Sequence, residues 1–400
     1  MGYRLSRPGA GELFRKWARQ YDVFGPKRME GEGCFSDTDV IRYGKVSSLD
    51  EIVWDQRSDY SFKEALLAID ETLFYFTEDT ATVPKGPDKD LLIFLRACDL
   101  NGVRRLDQIY LQNGPEDFYY KRIRERAKFV LMGCGQTCET GFCVSMGTNV
   151  CDDYDAYIKV DGDRVDLDIR AEELDPYGGD QGREGQAGTG VGSGTAAEAE
   201  GVAAAGPEAG GVAAAGSETG GAAATGPETG GAAAAGSEAE GVPGEVPVRM
   251  DVSPDFVTEN KEKVTLPRNL SNASFTKEIW QEYGSRCIGC GRCNFVCPTC
   301  TCFTMQDIFY KDNPKVGERR RVWASCQVDG YTDMAGGHSY RKSQGDRMRF
   351  KVMHKIYDFE KRFGYPMCVG CGRCDDVCPE YISYANCINR LAKEESADEK

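Results

Sequence analysis

Long apolar runs are missing from this 400-residue chain, and histidine is rare. No stretch of 18 apolar residues occurs, so we expect no membrane insertion. The opening residues, MGYRLSRPGAGELFRKWARQY, carry charges throughout and lack the apolar centre of a secretory signal, which predicts a cytoplasmic protein. Only two histidines, His338 and His354, are present, and isolated histidines are more typical of structural positions than of a metal centre.

Nucleotide-binding fingerprints are also absent, because no P-loop occurs anywhere in the chain. The stretch GSGTAA, from Gly192 to Ala197, formally matches a dinucleotide fingerprint, but neither a strand before it nor a stable helix after it is predicted. The net charge of −15 argues against nucleic acid as a partner. We find no residues suited to substrate binding and bond chemistry, so no catalytic residue is predicted.

Aromatic residues nearly disappear between Tyr177 and Pro247, where a ten-residue pattern repeats: GVAAAGPEAG, GVAAAGSETG, GAAATGPETG and GAAAAGSEAE. Most of the negative charge also lies here, since residues 171–247 hold 13 acidic side chains against one arginine. Such a composition cannot bury enough apolar area to offset the entropy lost on ordering. We therefore predict a disordered, acidic, Gly/Ala/Glu-rich insertion over residues 177–249.

An α/β-like domain is predicted before this insertion, over residues 1–176. The stretch SFKEALLAIDETLFYF, from Ser61 to Phe76, spaces its apolar residues as one helix would. Leu91–Leu95 and Phe129–Met132 have the character of buried strands, and the two helical patterns between them indicate a parallel unit.

Cysteine is abundant, with 18 residues, and two runs share the pattern C-x2-C-x2-C-x3-C-P: CIGCGRCNFVCP and CVGCGRCDDVCP. A [4Fe–4S] cube needs four thiolates, and in two-cluster ferredoxins the fourth cysteine of each run binds the other cube. The pattern therefore predicts two [4Fe–4S] clusters with crossed ligands. One set is Cys287, Cys290, Cys293 and Cys378, and the other is Cys368, Cys371, Cys374 and Cys297.

Zinc and disulfides are the alternatives to clusters. Zinc sites use pairs of CxxC but do not require a third cysteine three residues later or the Cys-Pro that follows. Disulfide frameworks are expected in short secreted chains. Cys297 and Cys368 are 71 positions apart with helix-like sequence between them, which favours a helical dicluster ferredoxin-like domain over residues 250–392, followed by a charged tail at 393–400. The predicted fold class is α+β.

Other residues near the runs leave alternatives open. Arg292 and Arg373 lie inside the CGRC loops, either as charges that raise a cluster potential or as solvated surface residues. The basic residues beside the helical stripe of Val352, Ile356, Phe359 and Phe363 form either a solvated face or a docking face.

A third iron–sulfur cluster in the N-terminal domain is a further alternative. Cys98 and Cys134 lie just beyond the predicted strands, at the carboxyl ends where open α/β sheets place ligands. Cys138, Cys143 and Cys151 follow with irregular spacing, which leaves this site open. Cys300 and Cys302 are expected to pack as small apolar groups. The cysteines with no predicted role are Cys34, Cys326 and Cys387.

Four stretches together resemble the A subunit of anaerobic sulfite reductase: RACDLNGVRRLDQIYLQNGPEDFYYKRIR, FCVSMGTN, SCQVDGYTDMAGGHSYR and CVGCGRCDDVCP. The β subunits of soluble NAD(P)-linked hydrogenases share this plan. The resemblance implies an iron–sulfur subunit that carries electrons from an NADH-oxidising flavin/[2Fe–2S] subunit to a sirohaem subunit reducing sulfite to sulfide. It also carries over the eight cysteines of the two runs as cluster ligands.

Two alternative functions remain beside sulfite reduction. One is the electron-transfer β subunit of a soluble NAD(P)-linked hydrogenase. The other is an enzyme of a different class, a thiol–disulfide enzyme of the heterodisulfide reductase kind, which would use Cys98, Cys134 and Cys143 for chemistry.

Overall fold

The computed structural model describes residues 2–33, 37–178 and 245–397. Most of the predicted insertion, 177–249, therefore lies outside the described residues, as does Cys34. The described parts on either side of the insertion belong to one compact unit. No helix in these parts is both long enough and apolar enough to cross a membrane.

An eight-stranded mixed sheet forms the centre of the N-terminal part. In spatial order its strands are β10 (Val248–Arg249), β1 (Gly2–Ser6), β9 (Arg164–Ile169), β8 (Ala156–Asp161), β7 (Ala127–Met132), β6 (Asp90–Leu95), β2 (Tyr21–Met29) and β3 (Val40–Lys45). The neighbours β2, β6, β7 and β8 pair in parallel, while the outer pairs are antiparallel. The central strands are continuous apolar runs because both faces of the sheet are covered.

Helices cover the two faces of this sheet. Helix α1 (Arg7–Gln20) begins at the N-cap Ser6 and buries Leu13 and Phe14 against one face. Helices α3 (Ala97–Leu111) and α4 (Phe118–Arg124) connect β6 to β7 and pack on the other face. The predicted parallel strand–helix–strand unit is therefore confirmed.

A second sheet corrects the helix predicted over residues 61–76. Only Lys63–Leu66 is helical (α2), and Asp70–Phe76 forms strand β4. The four strands of this sheet, in spatial order, are β11 (Phe303–Tyr310), β12 (Asn313–Trp323), β4 and β5 (Ala81–Thr82). The β-forming residues of DETLFYF pair along their length with β12, and this distant partner outweighs the helical spacing.

The C-terminal part contains the helices expected of a helical ferredoxin-like module, and it also contains two hairpins that were not predicted. The β11–β12 hairpin lies between the two cysteine runs, and a small hairpin of β13 (Asp333–Met334) and β14 (His338–Ser339) follows it. The helices here are α5 (Ile279–Arg286), α6 (Arg292–Phe295), α7 (Gln344–Met353), a π-helical turn (His354–Asp358), α8 (Phe359–Phe363), α9 (Arg373–Asp376) and α10 (Tyr384–Ala397). Short 3-10 turns occur at Leu49–Glu51, Glu172–Leu174 and Asn272–Thr276.

The predicted apolar stripe is confirmed for Val352, Ile356 and Phe359, which are buried, while its last residue, Phe363, is half-buried. Val352 and Ile356 belong to a core that α5, α7 and α10 share with two residues of the N-terminal part, Phe142 and Met146. The helical module is therefore completed by a loop from the other side of the insertion.

Candidate metal centres

The first cysteine run and the end of the second run line one small cavity of about 40 Å³. Its walls include Cys287, Cys290 and Cys293 from the first run and Cys378 from the second. The cavity thus brings together the four cysteines of the first predicted ligand set. Its remaining walls include Cys374, Lys351, Met348, Ile382 and Tyr384.

The second predicted set also lies together. Burial chiefly raises the pKa of the Cys368 thiol, to about 12, and the negative charge of Cys297 contributes to that shift. Burial likewise raises the pKa of Cys371, again with a contribution from Cys297. The negative charges of Cys371 and Cys368 also contribute, after burial, to the raised pKa of Cys374. The last cysteine of the first run is therefore a close neighbour of the second run.

Glycines shape the second loop so that another chain segment can lie directly on it. Gly370 has φ +61° and Gly372 has φ +76°, in the left-handed region that glycine adopts without strain. A Cβ on Gly370 would lie 2.6 Å from the carbonyl oxygen of Phe142, and one on Gly372 would lie 2.4 Å from that of Thr140. Only glycine allows this close approach.

The donor set fits a cube better than a single ion. In the described ranges, no group of three or more His, Cys, Asp or Glu side chains is close enough to hold one metal ion. A cube holds its thiolates farther apart, because each binds a different iron. The cysteine-lined cavity and the glycine loops therefore suit iron–sulfur clusters.

Two buried lysines lie between the cysteine groups, one helical turn apart. Lys351 is 4% exposed and Lys355 is 3% exposed. Burial alone would lower the pKa of Lys351, yet the thiolates of Cys293 and Cys374 raise it well above its ordinary value. Burial opposes the raised pKa of Lys355 in the same way, and Cys297 is the largest source of the rise.

These lysines were missed as site residues, since the basic residues of this segment were expected either in solvent or against a partner. Lys355 Nζ donates a hydrogen bond to Thr299 Oγ1 at 2.7 Å. Thr299 directly follows the Cys-Pro that ends the first cysteine run. The helical period could have revealed them: residues 351 and 355 flank Val352 and Ile356 on the same face. Both lysines offset negative charge on the neighbouring sulfurs.

Arg373 is neither a solvated arginine nor an unpaired charge. It is 1% exposed, and its guanidinium donates to both carboxylate oxygens of Asp99, at 2.7 and 3.1 Å. It also donates to the carbonyl oxygen of Ser58 at 2.9 Å. Asp99 lies in the first turn of α3, so this ion pair ties the second cysteine loop to the N-terminal sheet. Arg292, its counterpart in the first loop, is exposed.

The remaining cysteines differ in their surroundings. Cys300 is buried beside Cys297, and Cys387 lies fully buried in the helical core. Cys326 is buried and accepts a hydrogen bond from Asn294 Nδ2 at 3.1 Å. A hydrogen bond shared with Cys302 is the main cause that lowers the pKa of Cys326, to about 5. Sequence reasoning gave Cys326 no role, because it lies outside both runs.

Comparison with known proteins supports clusters in the C-terminal part. The family model described as a 4Fe-4S dicluster domain matches residues 286–382. Sulfhydrogenase 2 subunit beta from Pyrococcus furiosus is 27% identical over 394 residues, which is 95% of each chain. No solved structure matches.

These comparisons support an iron–sulfur electron-transfer subunit of an oxidoreductase. The chain is similar to a hydrogenase β subunit, which supports the expectation of an electron carrier. Between the two complexes considered above, the relative favours the hydrogenase alternative over sulfite reductase.

Replacing Arg373 with Met should lower the free energy of unfolding by about 3–5 kcal/mol, because it leaves the Asp99 carboxylate buried without its partner. The matched control is Arg292→Met in the first loop, which should cost no more than about 1 kcal/mol because that side chain is exposed. Urea unfolding of anaerobic protein, followed by circular dichroism, measures both. Equal losses in the two variants would contradict a structural role for the buried pair.

Proposed function

We propose that this chain relays single electrons as the iron–sulfur β-type subunit of a soluble hydrogenase complex, using two [4Fe–4S] clusters. The observation that carries this proposal is the cavity shared by both cysteine runs, in which Cys287, Cys290 and Cys293 meet Cys378. Similarity to a sulfhydrogenase β subunit along 95% of both chains supports the choice of complex.

The ligands follow the crossed arrangement. Cys287, Cys290, Cys293 and Cys378 hold one cluster, and Cys368, Cys371, Cys374 and Cys297 hold the other. When bound, each cluster accepts and releases one electron. The chain's own residues set the surroundings: Met348, Ile382 and Tyr384 line the first cavity with apolar surface, and the two buried lysines supply positive charge.

Serine substitutions test this ligand assignment. Cys378→Ser should change the same low-temperature EPR signal as Cys287→Ser, although the two residues belong to different runs. Cys297→Ser should change the other signal, which Cys368→Ser also changes. Anaerobic wild-type protein should hold at least about eight irons, and each variant should lose up to about four.

The control for these variants is Cys387→Ala, which removes a buried cysteine of the helical core that belongs to neither run. It should keep the wild-type iron content. If Cys378→Ser instead changes the same EPR signal as Cys368→Ser, the crossed ligand assignment is wrong. A colourless protein that holds only zinc would overturn the proposed function itself.

The buried lysines should raise the cluster potentials. Reduction adds negative charge, so removing a nearby positive charge makes reduction harder. Lys355→Met should therefore lower the midpoint potential of one cluster by on the order of 100 mV, for a charge several ångströms away in a medium of effective dielectric constant about 20. Redox titration followed by EPR measures the shift.

Lys361→Met is the matched control, because Lys361 lies on the same helical segment but is exposed. The cluster midpoint potentials of this variant should stay within about 20 mV of wild type, since solvent and salt screen exposed charges. Equal shifts in the two variants would show that burial of Lys355 does not matter to the clusters.

A sirohaem sulfite reductase is the second candidate complex, favoured by the four stretches that resemble its A subunit. In this candidate the partners are an NADH-oxidising flavin/[2Fe–2S] subunit and a sirohaem subunit. Genes next to this one should distinguish the two complexes, because each includes a different terminal subunit.

The complex itself gives the decisive assay. When the tagged chain is purified anaerobically from its own host, the complex that co-purifies with it should reduce a viologen dye with H₂. Sulfite-dependent oxidation of reduced dye, without H₂ activity, would replace the hydrogenase proposal with sulfite reduction. The chain alone should turn over neither sulfite nor a disulfide, and disulfide turnover would favour the thiol–disulfide alternative.

A further inference from the structure

Four cysteines of the N-terminal part lie at one edge of the eight-stranded sheet or in the loop that leaves it. Strands β6 and β7 are parallel neighbours, so their carboxyl ends lie side by side. Cys98 is the third residue after β6, in the first turn of α3, and Cys134 is the second residue after β7. The loop GCGQTCETGFC then carries Cys138 and Cys143 onward from the same edge.

This cysteine loop is held in place by a buried amide. Asn260 is buried, and its Oδ1 accepts a hydrogen bond from the Val144 backbone N–H at 2.7 Å. Its Nδ2 donates to Thr137 Oγ1 at 3.0 Å. The Cys143 sulfur lies 3.6 Å from Asn260 Oδ1. One side chain from beyond the insertion thus fixes the loop on both sides of Cys138.

The Cys143 thiol is an electrostatic neighbour of the other three thiols. Burial raises the pKa of Cys143 to about 11, with Cys134 and Cys138 adding to the rise. Burial also raises the pKa of Cys98 well above its ordinary value, and Cys143 is among its charged neighbours. Cys151 is outside this group, since its charged neighbours are acidic residues and an arginine.

A buried cation accompanies the group. Arg96 is buried, and its Nη1 lies 3.7 Å from the Cys134 sulfur. Its Nη2 donates to the carbonyl oxygens of Trp54 and Gln56, at 2.8 and 3.0 Å, which fixes the guanidinium at this position. Four thiolates on a cube are a negatively charged assembly, and nearby donors and positive charge stabilise such a site.

The group also adjoins the second cysteine run. The backbone N–H of Phe142 donates to the carbonyl oxygen of Gly370 at 2.7 Å, and Thr140 Oγ1 donates to that of Gly372 at 3.1 Å. Cys98 is an electrostatic neighbour of Cys371. A cofactor held by this group would therefore lie beside the second proposed cluster.

We propose that Cys98, Cys134, Cys138 and Cys143 hold a third [4Fe–4S] cluster, next to the cluster of the second run. The irregular spacing in sequence is no obstacle, because the sheet rather than a single loop brings Cys98 to the other three. The site goes beyond the two-cluster relay and does not depend on which complex the chain joins.

The double variant Cys134→Ser/Cys138→Ser tests this site in the full chain, purified anaerobically. Wild-type protein should hold about twelve irons and the double variant about eight, a loss of one third. The matched control Cys151→Ser removes a half-buried cysteine from the same region and should keep about twelve. The EPR signals that change in Cys378→Ser and Cys297→Ser should be retained in the double variant.

Spin counting on fully reduced wild-type protein keeps the test independent of how well the variant folds. About three spins per chain are expected, one for each reduced cluster. About two spins and about eight irons would overturn the third cluster while leaving the two-cluster relay intact, as would one zinc per chain beside eight irons. Iron-free protein would instead overturn the proposed function.

Discussion

The buried ion pair between Arg373 and Asp99 joins the cysteine loops to the sheet. Removing two charges from water costs several kcal/mol, and only good geometry recovers this cost. Here the guanidinium meets both carboxylate oxygens and also donates to Ser58, so its donors are satisfied. Because Arg373 lies between Cys371 and Cys374, the pair fixes the second cysteine loop against the N-terminal part.

Charge explains much of the remaining arrangement. The chain is acidic in total, yet basic side chains are buried wherever cysteines gather: Lys351 and Lys355 between the runs, and Arg96 beside Cys134. A third buried lysine, Lys63, donates to the carbonyl oxygen of Cys300 at 2.8 Å. A buried ammonium without a counter-charge is unfavourable, so these positions make sense when the sulfurs are thiolates. The buried basic side chains therefore match the negative charge of the neighbouring cysteine thiolates.

Local patterns in the sequence were reliable where the structure depends on neighbours in the chain. The two cysteine runs, with glycines at their turns, indicated the dicluster domain, and continuous apolar runs indicated β6 and β7. Prediction from the sequence failed where contact with a distant segment determines the local structure. Strand β4 pairs with β12, about 250 residues away, and no local period reports this partner. Likewise, nothing near Arg373 in sequence reveals that Asp99 faces it.

The same distinction separates the cysteine sites. The two runs are local motifs, so their proposed ligands follow from spacing. The N-terminal group is assembled by topology, because parallel pairing of β6 and β7 places Cys98 beside the loop that carries Cys134, Cys138 and Cys143.

With this third site, the proposed clusters form a continuous series whose two ends reach the surface at different places. At one end, Cys290 is exposed beside the first cavity. At the other end, an open pocket of about 340 Å³ lies against Arg96 and Gly133, next to Cys134 in sequence. The N-terminal sheet then has a direct part in electron transfer, because it carries the series from the ferredoxin-like module to a second surface. A subunit that lies between an electron donor and an electron acceptor needs two such openings.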